Sequence, residues 1–543
     1  MDPPFRRRHP FAAVLFGIPL LLFGLEFVRL ALGFSGSASG LFAWVIGAAL
    51  VLAVARFGLP LLVGAVSIQR RPPVRAPAGA GALGPRTTAP GRVPGVSAAA
   101  RAREASARLG AGAYLGVDEY GAWLTADSES AVLVLGPPRS GKTSAVMIPA
   151  LMASCGPALS TSTKPDVMRA TLPARAEIGQ AWLFDPAGSE NAEDLPAGVR
   201  RLCWSPVAAA TAWDEALVTA RAMTAATNPG AGTTNETHWA ERAGALLAPL
   251  LYAAHQTGQT ITEVLAWTLR QDLAAAQAIL ADSDTPVAGD VLAGIERTDQ
   301  RERSSIFSAT AGVLAAYNAD AARAQASNPN FDPARFTAST DTIYITAPEH
   351  KQALCAPLIV GMLEQIRHAA YQHARTHPAS GPPMLWALDE LANTAPVHDL
   401  TALISQAGGQ NLQVLAGLQD LSQARARWGE HQADAMLSLF QTKLILPGIH
   451  DPRTLEAISL ALGEYDRQTV THTLGHAEPQ EWLTRPTHTD TVSYQTQRQR
   501  TLTPGEIAHQ PPGHALLLQG ANWNTLQLTP WHGSEPWRRI AQQ

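Results

Sequence analysis

The stretch AVLVLGPPRSGKT, residues 131–143, restricts the possible folds of this chain more than any other feature. Val132 to Leu135 form a continuous apolar run, which is typical of a buried strand, and the residues from Ser144 onward have a helical pattern. The connection between them has the spacing Gly-x-x-x-x-Gly-Lys-Thr. A strand, a glycine-rich loop and a helix in this order predict a phosphate-binding loop within an α/β fold.

Each part of this loop has a predicted role. The glycines let backbone N–H groups close around phosphates, Lys142 reaches the β- and γ-phosphate oxygens, and the Thr143 hydroxyl binds Mg²⁺. Lysine occurs at only four positions in the chain, which makes its presence here informative. An ordinary glycine-rich turn is the alternative interpretation. The predicted nucleotide-binding residues are Gly136, Pro137, Pro138, Arg139, Ser140, Gly141, Lys142, Thr143 and Ser144.

The sequence MLWALDELANTAP, residues 384–396, supplies the acidic groups that a hydrolytic phosphate site needs. Asp389 follows a five-residue apolar run and is the predicted carboxylate on the Mg²⁺ side. Glu390 is the predicted residue that orients and deprotonates the attacking water. The alternative is an acidic first turn of a helix, but the pair occurs in the same chain as Lys142.

The run LQVLAGL at 412–418 is predicted to be a strand that ends in a polar residue, Gln419. Its side chain is placed to reach the γ-phosphate or the water. Arg425 and Arg427 lie on the helix predicted to follow. In a ring they can project into the neighbouring site as an arginine finger, and the alternative is that both are surface arginines on a solvated helix.

Strands alternate with helices over most of the chain from residue 111, which predicts a mostly parallel sheet with helices on both faces. About 207–335 is the exception, since it has long Ala/Leu-rich helical periodicity and no strong strand. We therefore expect an all-α domain inserted between strands of the nucleotide-binding domain. The predicted strands are 131–135, 157–161, 181–185, 342–346, 384–388, 412–418, 443–447 and 515–520.

The N-terminal residues 1–70 contain two apolar segments, 11–33 and 40–66, that are each long enough to cross a bilayer. Arginines at 6–8 precede this hairpin and arginines at 70, 71 and 75 follow it. The positive-inside rule then predicts a transmembrane anchor in the plasma membrane with both termini in the cytoplasm. A cleaved signal peptide is the alternative for the first segment.

Residues 71–110 are rich in Pro, Gly, Ala and Arg, and we predict a flexible linker there because large apolar residues are almost absent. Its arginines can contact anionic lipid headgroups, and the alternative, which the composition favours, is a solvated tether without such contacts. The net charge of −4 argues against a generally basic surface for nucleic acid. The three cysteines are far apart and odd in number, which supports neither a disulfide framework nor a Cys-x-x-Cys metal site, and we interpret them as reduced, buried residues.

Together, the hairpin and several motifs resemble the TraG/TraD-type coupling proteins of type IV secretion and conjugation, members of the HerA-FtsK superfamily. The motifs are LVLGPPRSGKT, STSTKPD, WALDELANTAP and the long stretch from LQVLAGLQDLSQARARWG to LGEYD. The resemblance implies a RecA-like P-loop ATPase that uses ATP and Mg²⁺, and that is hexameric when assembled. It also implies domains at 111–206, 207–335 and 336–543, the middle one receiving a DNA-bound relaxase or a protein substrate.

Further partners implied by the resemblance are DNA, contacted through its backbone, and components of the secretion channel. The segment between the two apolar spans is short, which makes contacts with an outer-envelope channel doubtful. Lys164 and Asp166 match the family's second motif by pattern. The sequence indicates no role for either residue, and packing at a strand end is the alternative. The polar stretch 468–500 is interpreted as a surface excursion or a DNA contact.

Three other functions compete with this interpretation of the sequence. A double-stranded DNA translocase of the FtsK type shares the motor but lacks the helical insertion. An ATPase that secretes only proteins is also possible, because the receptor surface has no sequence signature. A scaffold that binds nucleotide without hydrolysis requires a broken site, whereas Lys142, Thr143, Asp389 and Glu390 are all present.

Overall fold

The computed structural model describes residues 87–88, 97–110, 112–190, 195–227, 236–377, 381–477 and 487–542. Both predicted membrane spans, 11–33 and 40–66, lie outside these residues. Within the described ranges, no helix is both long enough and apolar enough to cross a membrane.

The described chain is built around one thirteen-stranded sheet and a separate two-stranded hairpin. The strands are β1 Thr87–Thr88, β2 Tyr114–Val117, β3 Ala122–Thr125, β4 Val132–Leu135, β5 Ala158–Ser162, β6 Ala181–Phe184, β7 Val199–Arg201, β8 Thr342–Thr346, β9 Met384–Leu388, β10 Leu412–Leu418, β11 Thr442–Ile445, β12 Glu464–Ala477, β13 Thr487–Arg500, β14 His514–Gln519 and β15 Asn522–Gln527.

The order in the large sheet is β1-β3-β2-β15-β14-β11-β4-β10-β9-β5-β8-β6-β7. From β11 to β7 every neighbouring pair is parallel, so eight strands form a parallel centre. The remaining five strands add antiparallel pairs at one edge. This confirms the predicted α/β class with a mostly parallel sheet.

All eight predicted strands are present, with bounds that differ from the prediction by two residues at most. Their side chains are buried on both faces, which explains why they read as continuous apolar runs. The other seven strands, β1, β2, β3, β7, β12, β13 and β15, were not predicted. They are short or carry polar residues, and β7 has the sequence VRR.

The α-helices in the described residues are α1 Ala98–Leu109, α2 Ile148–Ala153, α3 Asp166–Ile178, α4 Pro206–Ala209, α5 Trp213–Thr227, α6 Glu236–Gln256, α7 Ile261–Arg270, α8 Ala274–Ala281, α9 Pro286–Glu296, α10 Gln300–Val313, α11 Asp320–Ser327, α12 Pro333–Thr337, α13 Gln352–Thr376, α14 Leu391–Thr394, α15 Leu400–Ala407, α16 Leu421–Trp428, α17 Glu430–Leu439, α18 Pro452–Ala461, α19 Pro504–Ala508 and α20 Trp537–Ala541. A π-helical segment, Lys142–Met147, leads directly into α2.

Helices α4 to α12 all lie between β7 and β8, where the sequence predicts the helical insertion. Their buried side chains, such as Leu246 and Leu250, belong to the same apolar cluster as Ile343 and Trp386 of the sheet. The helical segment therefore packs directly on one face of the sheet and shares its core.

Helix α1 lies inside 71–110, the range predicted as a flexible linker, and this is a difference from the prediction. Ala98, Ala102 and Ala105 are fully buried. Ser97 caps the helix by accepting a hydrogen bond from the backbone N–H of Ala100. Alanine offers little apolar area, but it lets a helix approach its neighbours closely, so a core contact forms without large residues.

The polar stretch predicted at 468–500 lies mostly in the hairpin formed by β12 and β13. These strands pair in register from Glu464 with Arg500 to Ala477 with Thr487. Where its side chains are described, most of this hairpin is exposed.

A fully buried arginine, Arg175 of α3, connects three segments of the sheet region. Its Nε donates to Thr342 Oγ1 at 2.6 Å, and its Nη2 donates to the carbonyl oxygens of Gly156 at 2.8 Å and Thr340 at 3.0 Å. Nη1 donates to the carbonyl of Ser154. The guanidinium group thus donates hydrogen bonds to carbonyl oxygens that are buried away from water and would otherwise lack a partner.

We expect Arg175→Ala to lower the free energy of unfolding by about 3 kcal/mol, because several buried carbonyl oxygens lose their donor. Urea denaturation of the purified chain measures this change. Arg301→Ala, at an exposed position of α10, is the matched control. A loss in the Arg175 variant no larger than in the control would contradict this role.

Candidate nucleotide-binding site

The phosphate-binding loop begins where β4 ends and requires glycine at both ends. A Cβ on Gly136 would lie 2.7 Å from Ser140 Oγ and 2.8 Å from Leu446 Cβ. Gly141 has φ +104, a conformation that other residues rarely adopt. Arg139 is also left-handed, at φ +64, and its side chain is exposed. The glycines of the motif are therefore explained by the backbone path.

Lys142 lies inside the loop. It is 5% exposed, and its Nζ donates to the carbonyl oxygens of Gly136 at 2.5 Å and Pro137 at 3.2 Å. Burial lowers the pKa of this ammonium group, and the carboxylates of Asp389 and Glu390 oppose that effect. The ammonium group is thus held within the loop, where the β- and γ-phosphates are expected.

Asp389 follows β9, two strands away from β4, and yet its carboxylate meets the loop. Strand β10 lies between them and pairs with both in parallel register, Leu418 with Leu135 and Ala416 with Leu388. The carboxyl ends of β4 and β9 are therefore nearly level. Thr143 Oγ1 donates a short hydrogen bond to Asp389 Oδ2 across the strand that separates β4 from β9.

Gly417 of β10 makes the space for this contact. A Cβ at this position would lie 3.1 Å from Asp389 Oδ1 and 3.2 Å from Met147 Cε, closer than side chains normally pack. The glycine therefore lets the acidic strand end and the helix after the loop come together over β10.

One atom of the acidic pair, Asp389 Oδ1, and one atom of the loop, Ser140 Oγ, are buried and have no hydrogen-bond partner in the described residues. Burial raises the pKa of Asp389, against the lowering effects of the Thr143 hydroxyl and Lys142. Mg²⁺ prefers oxygen ligands, and it is usually bound by one or two protein groups together with waters and phosphates. Thr143 and Asp389 fit that requirement.

Glu390 lies beside this pair with a strained backbone, φ +53. Gln419 Nε2 donates to Glu390 Oε2 at 3.5 Å, and the backbone N–H of Gln419 donates to Gln423 Oε1 at 2.9 Å. Burial raises the pKa of Glu390, and hydrogen bonds from Gln419 and Gln423 lower it. A carboxylate with a raised pKa is suited to accept a proton from water.

Sequence reasoning missed two residues of this site. Gln423 lies one turn into the helix after Gln419, and nothing in its local pattern distinguishes it from other polar helix residues. Thr161 of β5 donates its hydroxyl to the backbone carbonyl of Asp389 at 2.9 Å. The polar run Ser160 to Ser162 at the end of a buried strand was the available signal.

Both candidate finger arginines make contacts within their own chain. Arg425 forms an ion pair with Asp451 and is only 10% exposed. Arg427 donates to the carbonyl oxygens of Ala225 and Ala226 at the end of α5. Either one would have to leave these partners to reach a neighbouring subunit.

We expect Asp389→Asn to stabilise the nucleotide-free protein while removing its response to ATP with Mg²⁺. Because burial raises the pKa of Asp389, folding disfavours its ionised carboxylate. The contribution of this carboxyl group to the free energy of unfolding therefore falls as the pH rises through that pKa. Asparagine keeps an acceptor for Thr143 without the charge. Thermal unfolding is expected to shift upward by about 2 °C.

When thermal unfolding is repeated with ATP and Mg²⁺, the midpoint temperature of the wild-type protein is expected to rise. The midpoint temperature of the Asp389→Asn protein is expected to stay unchanged. Asp282→Asn, at an exposed site after α8, serves as the control. An equal response to ATP and Mg²⁺ in the Asp389 variant and the wild type would contradict a metal-binding role for Asp389.

Comparison with known proteins gives the family of this fold. Residues 97–522 match the family described as Type IV secretory system Conjugative DNA transfer. No curated protein matches the chain.

Three solved structures illustrate the fold similarity, each at an identity that supports the fold alone. The bacterial conjugative coupling protein TrwBdeltaN70 in its unbound form is 18% identical, with a TM-score of 0.55, and the match covers 76% of this chain and 88% of that one. The plasmid coupling protein TrwB with the ATP analogue ADPNP is 17% identical, with a TM-score of 0.56 and coverage of 78% and 90%. TrwB with ADP and Mg²⁺ is 18% identical, with a TM-score of 0.54 and coverage of 78% and 91%.

The family match spans well over half of the chain and includes the loop, the Asp389–Glu390 pair and the strands that bring them together. The chain therefore belongs to the type IV secretory system conjugative DNA transfer family.

Proposed function

We propose that this chain is a membrane-anchored coupling protein that brings a DNA-bound relaxase or a protein substrate to a type IV secretion channel. It drives translocation by hydrolysing ATP in a hexameric ring. The observation that carries this proposal is the meeting of Lys142, Thr143, Asp389 and Glu390 at one sheet edge, in a chain of a conjugative DNA transfer family.

ATP hydrolysis is the activity of the chain, with ATP and Mg²⁺ as its cofactors. The coupling protein TrwB has been described in complex with ADPNP and with ADP and Mg²⁺. When bound, Mg²⁺ neutralises charge on the phosphate oxygens. Thr143 and Asp389 are the residues that would hold it.

The other residues of the site divide the chemistry between them. Lys142 balances the negative charge of the β- and γ-phosphates, and the loop N–H groups fix the phosphate chain. Glu390 takes the proton of the attacking water, and Gln419 and Gln423 hold its carboxylate in place. An arginine from the next subunit, Arg425 or Arg427, would complete the site by stabilising charge in the transition state.

The proposed anchor and location rest on the sequence of residues 1–70. Two apolar spans with arginines on both outer flanks support a helical hairpin in the plasma membrane, with both termini in the cytoplasm. The arginines of residues 71–110 would then lie close to anionic lipid headgroups.

The cargo is proposed to dock on helices α4 to α12, which lie between two strands of the nucleotide-binding core. A motor that grips DNA through its phosphates has weak, salt-sensitive and largely base-independent contacts, so specificity would come from the partner relaxase. An ATPase for protein cargo alone would have the same site but no response to DNA.

The decisive experiment measures ATP turnover of the purified full chain in detergent, with and without single- or double-stranded DNA. We expect DNA to stimulate turnover. Glu390→Gln is expected to keep ATP binding while lowering turnover about 100-fold, because the water loses its base. Lys142→Ala is expected to lose both ATP binding and ATP turnover.

Glu119→Gln changes an exposed carboxylate after β2 and is the matched control for Glu390→Gln. Turnover that is indifferent to DNA would favour the protein-only secretion ATPase. Wild-type protein that never hydrolyses ATP under conditions that favour assembly would overturn the proposal.

A further inference from the structure

The hairpin formed by β12 and β13 carries exposed apolar side chains on one of its two faces. Val470 lies opposite Tyr494, and Val492 is two residues before Tyr494, so all three belong to the same face of the ribbon. Val470, Val492 and Tyr494 are 45%, 41% and 73% exposed. The opposite face has polar pairs at this level, such as Thr469 with Gln495. Val470, Val492 and Tyr494 therefore form an apolar face on an otherwise polar hairpin.

We infer that this apolar face docks on the neighbouring copy of the chain in the assembled ring, and that the docking makes ATP turnover depend on assembly. The inference rests on the proposed function, which places the chain in a hexameric ring. It assigns a contact between subunits to a specific surface, and it gives the polar stretch 468–500 a role other than DNA binding.

The length of the hairpin supports a partner in a second subunit. Each strand has 14 residues, which corresponds to about 45 Å of extended chain and exceeds the diameter of a small domain, about 30 Å. A two-stranded ribbon without further packing is marginally stable in water. In a single copy the hairpin is attached at its base, where Arg500 pairs with Glu456 of α18. A second subunit along the apolar face would supply the packing that the ribbon lacks.

The charge of the hairpin favours a protein surface over DNA or an anionic membrane. Residues 468–497 contain three acidic residues, Glu478, Glu481 and Asp490, and one basic residue, Arg485, so their net charge is −2. Segments that bind DNA or anionic lipid need an excess of Lys and Arg to neutralise phosphates. In a ring, the neighbouring subunit is the protein that symmetry holds at a fixed distance and orientation from every hairpin.

Helix α18 connects the base of the hairpin to the candidate nucleotide-binding site. Just before its first turn, Asp451 pairs with Arg425 of α16, the helix that follows Gln419. Further along α18, both carboxylate oxygens of Glu456 accept hydrogen bonds from Arg500, at 2.6 and 2.7 Å. A contact of the hairpin with the neighbouring subunit is thereby joined, through two ion pairs and one helix, to the residues that hold Glu390.

The test measures assembly of the purified full chain in detergent with Mg²⁺, a non-hydrolysable ATP analogue and single-stranded DNA, by sedimentation over a range of protein concentrations. Tyr494→Ser is expected to raise the concentration at half-assembly about 10-fold, because each interface loses a large apolar side chain. Tyr465→Ser makes the same change on the opposite face and is the matched control. It is expected to change that concentration less than about 2-fold.

ATP turnover of the same proteins gives a second readout. Tyr494→Ser is expected to have a lower turnover than the wild type at concentrations where only the wild type is assembled. At concentrations where the variant is also assembled, its turnover is expected to equal that of the wild type. Equal loss of assembly in Tyr494→Ser and Tyr465→Ser would assign the effect to the hairpin fold and not to the apolar face, and would overturn the inference.

Photocrosslinking identifies the partner of the apolar face. With p-benzoylphenylalanine in place of Tyr494, irradiation of the assembled protein is expected to give an adduct of two chains. An adduct with DNA or detergent alone would overturn the inference. Assembly of Tyr494→Ser at the wild-type concentration would also overturn it, while the proposed function stands if turnover responds to DNA. Wild-type protein that stays monomeric at every concentration would overturn both.

Discussion

The contact between the Thr143 hydroxyl and the Asp389 carboxylate joins residues that are 246 positions apart in the chain, and the rest of the site depends on it. It exists because β10 pairs with β4 on one side and β9 on the other, in parallel register, so that their carboxyl ends are nearly level. Gly417 leaves the space above β10. Lys142 and Glu390 lie on either side of this contact because each is next in sequence to one of its partners.

The parallel centre of the sheet was predictable because its strands are buried on both faces and therefore read as apolar runs. Helix α1 was not predictable by the same signal, since Ala98, Ala102 and Ala105 are buried by close approach and contribute little apolar area. Strand β7 was missed because Arg200 and Arg201 give it no apolar pattern at the sheet edge. Hydrophobic patterning thus identifies the centre of the fold better than its margins.

The candidate site also has some residues that a local sequence pattern reveals and others that it does not. The loop motif and the Asp389–Glu390 pair depend on local spacing, which a sequence displays directly. Gln423 acts through its contacts with Gln419 and Glu390, which form only when the helix after β10 is packed beside the acidic pair. The burial of the Arg425–Asp451 pair likewise appears only once α16 and α18 are packed together. Tertiary contacts of this kind leave no local pattern.

The most direct test of the account is an experimental structure of the full chain with Mg²⁺ and a non-hydrolysable ATP analogue. We predict phosphates inside the loop beside Lys142, and Mg²⁺ bound by Thr143 Oγ1 at about 2.1 Å with the Asp389 carboxylate next to it. A metal ion held by other residues, or phosphates bound outside the loop, would contradict the claim that the two strand ends form one site.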